Sequence, residues 1–342
     1  MINVTKFVGA TMVMLALTGP AFADDAFNVK EIGSYHVGGR EVHLEGLPVK
    51  MLKFTPDAKP LKSDPNGRFE VEQMYVQYVR LADPKAKYPL LMWHGGGMSG
   101  VTWETKPDGQ LGWQSFFLKA GHDVYVSDAM ERGRASWARY PEIYKTEPFF
   151  RTKAQAWTIS RIGPTFEGRK EYDGQQFPTG SFDQLMKQAV PRWGSENNAP
   201  TQAAYDAYVQ KQCPCVLMLH SQASSFGFKE ALRHPDLIKA IIAVEPSGRI
   251  DASTDELAKM SGIPHLFIWG DYLKDVPIWG ETLLPTLESY QDDLKKAGVP
   301  VTVWHLPEMG IKGNTHMMMM DRNSDVIAAK IQDWINDAGL MK

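Results

Sequence analysis

Six short, almost continuously apolar runs, spaced by helix-like segments, constrain the fold more than any other feature of this chain. They are "YPLLMWHGGG" (88–97), "DVYVSDA" (123–129), "CVLMLH" (215–220), "AIIAVEP" (240–246), "HLFIWGD" (265–271) and "VTVWHLP" (301–307). A strand with no polar face must be covered on both sides. The segments between supply the cover. "GWQSFFLKAGH" reads as a short helix closed by Gly121, and "SSFGFKEALRHP", "PTLESYQDDLKKAG" and "SDVIAAKIQDWINDAG" as longer ones. In the last, Ile327, Ile331, Trp334, Ile335 and Ala338 recur at helical spacing. The alternation predicts an α/β protein with a mostly parallel sheet and helices on both faces. Two earlier segments, "SYHVGGREVHL" and "GRFEVEQMYVQYVRL", alternate in period two, as antiparallel edge strands do.

The first 23 residues read as a cleavable signal peptide: Lys6, an apolar stretch from Phe7 to Leu17, then Ala21-Phe22-Ala23. The expected location is therefore periplasmic or secreted. Without that segment the charges go from 37 basic against 40 acidic to 36 against 40, about −4. Such a balance recruits neither nucleic acid nor an anionic membrane, and no later run is long enough for a membrane span. No repeat, linker or charge block divides the remainder, so residues 24–342 are expected to be one elaborated domain; a homodimer is left open.

One interval breaks the rhythm. Some 85 residues separate Ala129 from Cys215, far more than a crossover needs. They hold thirteen aromatic residues between Trp137 and Tyr208. The expectation is a lid over about 131–210 that lines an apolar or aromatic substrate site. Cys213 and Cys215 sit two apart. In an extended segment that spacing lies near the upper limit for a disulfide, so a bridge and two buried thiols both stand open.

Ligand sites in open parallel sheets lie at the carboxyl ends of strands. Ser221 stands where "CVLMLH" turns into a helix, the context of a nucleophile elbow. Ala223 is small, as the position two after such a serine requires, but Leu219, two before it, is bulky. "HGGG" (94–97) ends an earlier strand, where glycines admit a ligand to backbone N–H groups. Gly96, Gly97 and Gln222 are the expected oxyanion donors, with His94 fixing the loop.

Together "WHGGG", "LHSQASS", "AVEP", "WGD" and "NTHMMMMDRNS" resemble the α/β-hydrolase superfamily over roughly residues 70–340. More narrowly, they are similar to exported bacterial carboxylesterases with a Ser-Glu-His triad: an H-S-Q elbow, the acid in V-E-P, the histidine in N-S/T-H-M. By position the resemblance implies Ser221 as nucleophile, Glu245 as acid and His316 as base, without metal or cofactor.

The residues themselves leave the acid open. The order Ser, acid, His admits Glu245 after one strand and Asp271 after the next. His316, in a glycine-bearing loop past the last strand, is the expected base. His265 and His305 read as core histidines, and His220 is expected to point away from its neighbour Ser221. Met317 to Met320 offer soft-metal ligands beside His316, but consecutive side chains on a helical turn fan outward, so packing is the expected role.

The function expected is an exported serine carboxylic-ester hydrolase acting through an acyl-enzyme on a small-molecule ester. The alternatives are a lactone, amide or C–C bond hydrolase with the same triad, and a catalytically silent binding protein suggested by Leu219.

Overall fold

The computed structural model describes residues 27–137 and 139–342, and the expected signal peptide lies outside the described residues. Its core is an eight-stranded sheet. The strands are β1 (Val29–Leu44), β2 (Gly67–Leu81), β3 (Leu90–Trp93), β4 (Val124–Asp128), β5 (Cys215–His220), β6 (Ile238–Val244), β7 (His265–Trp269) and β8 (Val301–His305). Their spatial order is β1-β2-β4-β3-β5-β6-β7-β8. All six apolar runs became parallel strands, β4-β3-β5-β6-β7-β8. β2 runs antiparallel to β4, and β1 antiparallel to β2. Of the two alternating segments, then, only β1 is an edge; β2 lies inside the sheet. A separate hairpin pairs Lys50–Leu52 with Leu61–Ser63.

The helices that cover this sheet or belong to the long interval before β5 are α1 (Trp113–Lys119), α2 (Lys153–Ile159), α3 (Phe182–Lys187), α4 (Asn198–Gln212), α5 (Ala223–Arg233), α6 (Leu284–Lys296) and α7 (Ser324–Asp337). Strand side chains alternate between two cores. Leu91, Trp93, Leu217, Leu219, Ile241 and Phe267 pack under α4, α5 and α6. Leu90, Met92, Val216, Met218, Ile242 and Leu266 pack under α1 and α7. In α7 the stripe falls where its spacing predicts: Ile327, Ile331 and Ile335 are buried, with Trp334 and Ala338 at the margin.

Between β4 and β5 the long insertion forms α2, α3 and several short turns, then α4. Several of its aromatic residues pack on one another. Trp157 packs on Phe182 at 5.0 Å and Phe166 at 5.8 Å, and Tyr144 on Trp193 at 5.0 Å. Tyr205, on α4, stacks on Trp93 of β3 at 3.9 Å, so the end of this stretch covers the sheet itself.

Cys213 and Cys215 are bridged, with Cα atoms 4.5 Å apart. That is near the short end of the disulfide range, not its upper limit. The two cysteines do not share a strand: Cys213, in extended backbone, closes α4 and Cys215 opens β5.

Bulky Leu219 has a matching hollow on α5. A Cβ at Gly227 would lie 2.2 Å from Leu219 Cδ1, so the helix approaches the strand only because Gly227 has no side chain. The small residue expected before the serine has been moved to the facing helix. Gly227→Ala should lower stability by about 1–2 kcal/mol, since overpacking outweighs the ~1 kcal/mol that alanine gains in a helix. Urea denaturation measures this, and a stabilised variant would show that no such contact constrains α5.

Candidate active site

Ser221 is built by a break in β5. The strand ends at His220, Ser221 takes a φ of +52°, and α5 begins two residues later. A left-handed serine is strained and must be held. Its N–H donates to Val244 O (3.1 Å), and its carbonyl accepts from Ser224 N–H (3.1 Å) and Ser247 N–H (3.2 Å). Ser221 Oγ donates to Ser247 Oγ at 3.4 Å and, among the described residues, makes no hydrogen bond to His316.

The same break corrects the expectation for His220. Strand alternation does not extend to residue 221, so both side chains line one cavity. His220 Nε2–H donates to the His316 carbonyl (3.0 Å), and the two rings lie 4.6 Å apart. Burial holds its pKa well below the usual histidine value, leaving it a neutral prop for the His316 backbone.

The "HGGG" loop approaches from β3. His94 Nε2 accepts from Ala129 N–H (3.0 Å), so Nδ1–H donates to Gly95 O (2.8 Å), and the ring fixes the loop as expected. A Cβ at Gly95 would meet Ser221 Cβ at 3.0 Å, which is why this approach needs glycine. Gly97 has φ +76° and its carbonyl accepts from Val190 N–H of the insertion (3.0 Å). The N–H groups of Gly96, Gly97 and Gln222 have no acceptor among the described residues, and all three line the cavity with Ser221.

The two acids expected from the sequence have different partners. Glu245 directly follows β6 with φ +50°, and its Oε2 lies 3.2 Å from His316 Nδ1. Its Oε1 accepts from Gly270 N–H (2.5 Å) and from Arg161 Nη2 (2.6 Å). Burial alone would raise this carboxyl, but the Arg161 charge and the hydrogen bonds of His316 and Arg161 outweigh it and hold the pKa at about 2. Asp271 Oδ1 instead accepts from Tyr272 N–H (2.9 Å) and Oδ2 from Gly313 N–H (3.0 Å), which pins the loop that carries His316.

His316 itself is 6% exposed, its N–H donates to Ser160 O (2.9 Å), and its ring lies 4.3 Å from that of Trp279. Burial lowers its pKa, with Glu245 opposing the shift in part. Asp321 shapes its loop by accepting from Thr315 N–H (2.8 Å), Thr315 Oγ1 (2.8 Å) and Asn314 Nδ2 (3.0 Å). Met318–Met320 form one helical turn buried in the core under α7, and Met317 reaches the cavity wall.

The cavity has a volume of about 370 Å³. The insertion supplies much of its wall, through Ala156, Ile159, Leu185 and Met186 among others. None of the thirteen aromatic residues expected to line it does so; its aromatic residue is Trp279, which lies outside the insertion. Trp157, Phe166 and Phe182 pack on one another within the insertion, Tyr205 and Tyr208 pack on Trp93 of the sheet, and Trp137 and Phe150 are exposed.

No family model matches this chain. Its structure superposes on a solved protein described as a novel bacterial esterase, with a TM-score of 0.80 and 33% identity, covering 92% of this chain and 97% of that one. The chain is an α/β-hydrolase of that esterase's family. A probable secreted lipase, phiG, from Fungal sp. (strain ATCC 74256), is 28% identical over 322 residues, 79% of this chain and 87% of the relative.

Sequence reasoning found the six residues that meet in this hydrolase's cavity or behind it, and His94 as a support, but missed the other supports. Gly270 stood inside the "WGD" motif, whose aspartate drew attention in its place. Asp321 stood inside the segment "NTHMMMMDRNS", whose histidine and methionines drew attention in its place. Arg161 carried no local signal. It is 0% exposed, adopts φ +57°, donates through Nε to Asp271 O (2.7 Å), and lies 4.9 Å from the Trp279 ring.

Arg161→Met would leave the buried Glu245 carboxylate without a counter-charge, at an expected cost of about 3–5 kcal/mol. The depressed carboxyl contributes stability that is present above the usual pKa of 4.5 and is lost as pH falls toward 2. Urea denaturation across this window should show a steep acid-side loss in the native chain, flattened or reversed in the variant.

Proposed function

We propose that this hydrolase is a serine carboxylic-ester hydrolase, exported by the segment 1–23, with Ser221 as nucleophile, His316 as base and Glu245 as acid. The observation that carries this reading is the Glu245–His316 hydrogen bond at Nδ1, behind a cavity that Ser221 and His316 share. With Nδ1 engaged, Nε2 is the nitrogen left to accept a proton. As an ester enters, Ser221 Oγ leaves Ser247, passes its proton to His316 Nε2 and attacks the carbonyl carbon. The tetrahedral oxyanion is received by the N–H groups of Gln222, Gly96 and Gly97. His316 returns the proton to the alkoxide, which departs as alcohol. A water, deprotonated by the same nitrogen, then releases the acid from the acyl-enzyme.

Glu245 holds the imidazole orientation and stabilises the imidazolium; Arg161 acts through Glu245 and is a positioning residue. The insertion serves as a fixed lid whose aliphatic side chains receive the apolar part of the ester. The esterase and lipase descriptions of the relatives support the same reaction, and the secreted relative supports export. The catalytically silent alternative loses its motive, because Gly227 on the facing helix makes room for Leu219.

A fluorophosphonate probe should label Ser221 stoichiometrically, and Ser221→Ala should abolish labelling and lower kcat by about 10⁶. Glu245→Gln should lower kcat by about 10⁴ and Asp271→Asn by no more than about tenfold; the reverse order would make Asp271 the acid. The pH profile gives an independent check. His316 works as a base only when neutral, and burial lowers its pKa, so the acid limb of kcat/KM should fall below pH 6.5.

A further inference from the structure

The cavity beside Ser221 carries two cations and no anion. Arg151 and Arg192 line its wall, and none of the other lining residues is an aspartate or glutamate. Both arginines come from the insertion and are held close by a backbone bridge: Phe149 N–H donates to Arg192 O (2.6 Å) and Arg192 N–H to Phe149 O (3.1 Å). Arg151 follows Phe149 by two residues and precedes Thr152, which caps α2 through a capping box with Gln155. The backbone at both arginines is thus fixed on either side.

Neither guanidinium is satisfied by the fold. Arg151 makes no hydrogen bond or ion pair among the described residues. Arg192 donates only from Nη1, to Gln222 Oε1 at 3.0 Å, beside the glycine loop. The charge felt by Arg151 is that of Arg192, of the same sign. Both are half-buried, and burial lowers the pKa of each. Bringing two like charges together in a partly dry pocket is unfavourable unless an anion joins them. Guanidinium groups match the planar, two-oxygen face of a carboxylate. Arg192 lies against the expected oxyanion donors, and the charge of Arg151 is felt at His316, so the anion would sit close to the reacting carbonyl.

We propose that the ester this hydrolase accepts carries a carboxylate, received by Arg151 and Arg192, with its apolar remainder against Ile159, Leu185 and Met186. This rests on the ester-hydrolase reading and names its substrate class. The carboxylate can belong to the acyl part, as in a dicarboxylic monoester, or to the alcohol part, as in an acylated hydroxy acid. Hydrolysis in either case adds water across the ester bond and yields a free acid and a free hydroxyl.

Two matched pairs of substrates test this with the full chain. Monophenyl glutarate against phenyl pentanoate places the charge on the acyl side; 4-acetoxybenzoate against its methyl ester places it on the leaving side. In at least one pair kcat/KM should favour the anion by about tenfold to a hundredfold, the range for a hydrogen bond to a charged group, and the preference should shrink in high salt. Arg151→Gln should cut that ratio by about tenfold, chiefly through KM, with Arg151→Lys retaining part of it. Equal rates within both pairs, or a ratio indifferent to Arg151→Gln and Arg192→Gln, would overturn the proposal. So would an equal loss of kcat on neutral and anionic esters in Arg192→Gln, which would make Arg192 an oxyanion donor. If fluorophosphonate leaves Ser221 unlabelled and no ester is cleaved, the ester-hydrolase reading has failed. Calorimetry with glutarate and 4-hydroxybenzoate then still decides the anion site, which requires heat in the native chain and its loss in Arg151→Gln.

Discussion

The buried pair between Arg161 and Glu245 is the interaction on which the rest of this site depends. Two charges removed from water are tolerated only where geometry and further hydrogen bonds compensate. Here Gly270 and His316 take up the carboxylate's remaining valence and Asp271 O takes Arg161 Nε. The pair also joins pieces of chain that are far apart in sequence. Arg161 belongs to the insertion, Glu245 to the end of β6, Gly270 to the end of β7 and His316 to the loop after β8. Its neighbours repeat the connection: Ile159 O accepts from Trp279 Nε1 (2.7 Å) and Ser160 O from His316 N–H (2.9 Å). Three successive residues of the insertion therefore touch the site's framework, which makes the insertion a structural part of the site.

Three of the seven left-handed non-glycine residues among the described residues stand in the same place. Ser221, Glu245 and Arg161 all have left-handed backbones, although none is glycine. Such conformations persist where the surroundings over-determine them. Ser221 is fixed by Val244, Ser224 and Ser247, and Glu245 by Ile268 O, which accepts its N–H at 2.9 Å. In each case a parallel strand ends and the next residue swings its side chain off the strand's alternating faces. Two adjacent strand ends built this way bring a hydroxyl into the cavity that His316 lines and a carboxylate against His316 Nδ1.

The sheet was legible because its signal is local. Each buried strand must be apolar along its length, and each covering helix must show an apolar stripe, so β3 to β8 and α7 could be read within a few residues. The chemistry-bearing residues at strand ends could be read too, since their position follows from the strands and the motifs around them. Errors arose where a side chain's role depended on something distant. The aromatic residues of the insertion were expected at the substrate, yet Trp157, Phe166 and Phe182 needed one another to give the insertion a core of its own. Leu219 looked like a defect in the elbow until its partner Gly227 was seen across the strand–helix contact.

The sequence by itself determined the α/β alternation, the parallel sheet, the serine at its turn and the histidine beyond the last strand, because hydrophobic period and turn chemistry act over a few residues. It left two acids for one role, and only the tertiary structure shows that Glu245 meets His316 while Asp271 accepts from Tyr272 N–H and Gly313 N–H. Glu245 and His316 are 71 residues apart and Glu245 and Arg161 are 84 apart, distances over which no local pattern carries information. The pairing is decided by which strand ends lie side by side in the sheet and by where an 85-residue insertion sets down one buried guanidinium.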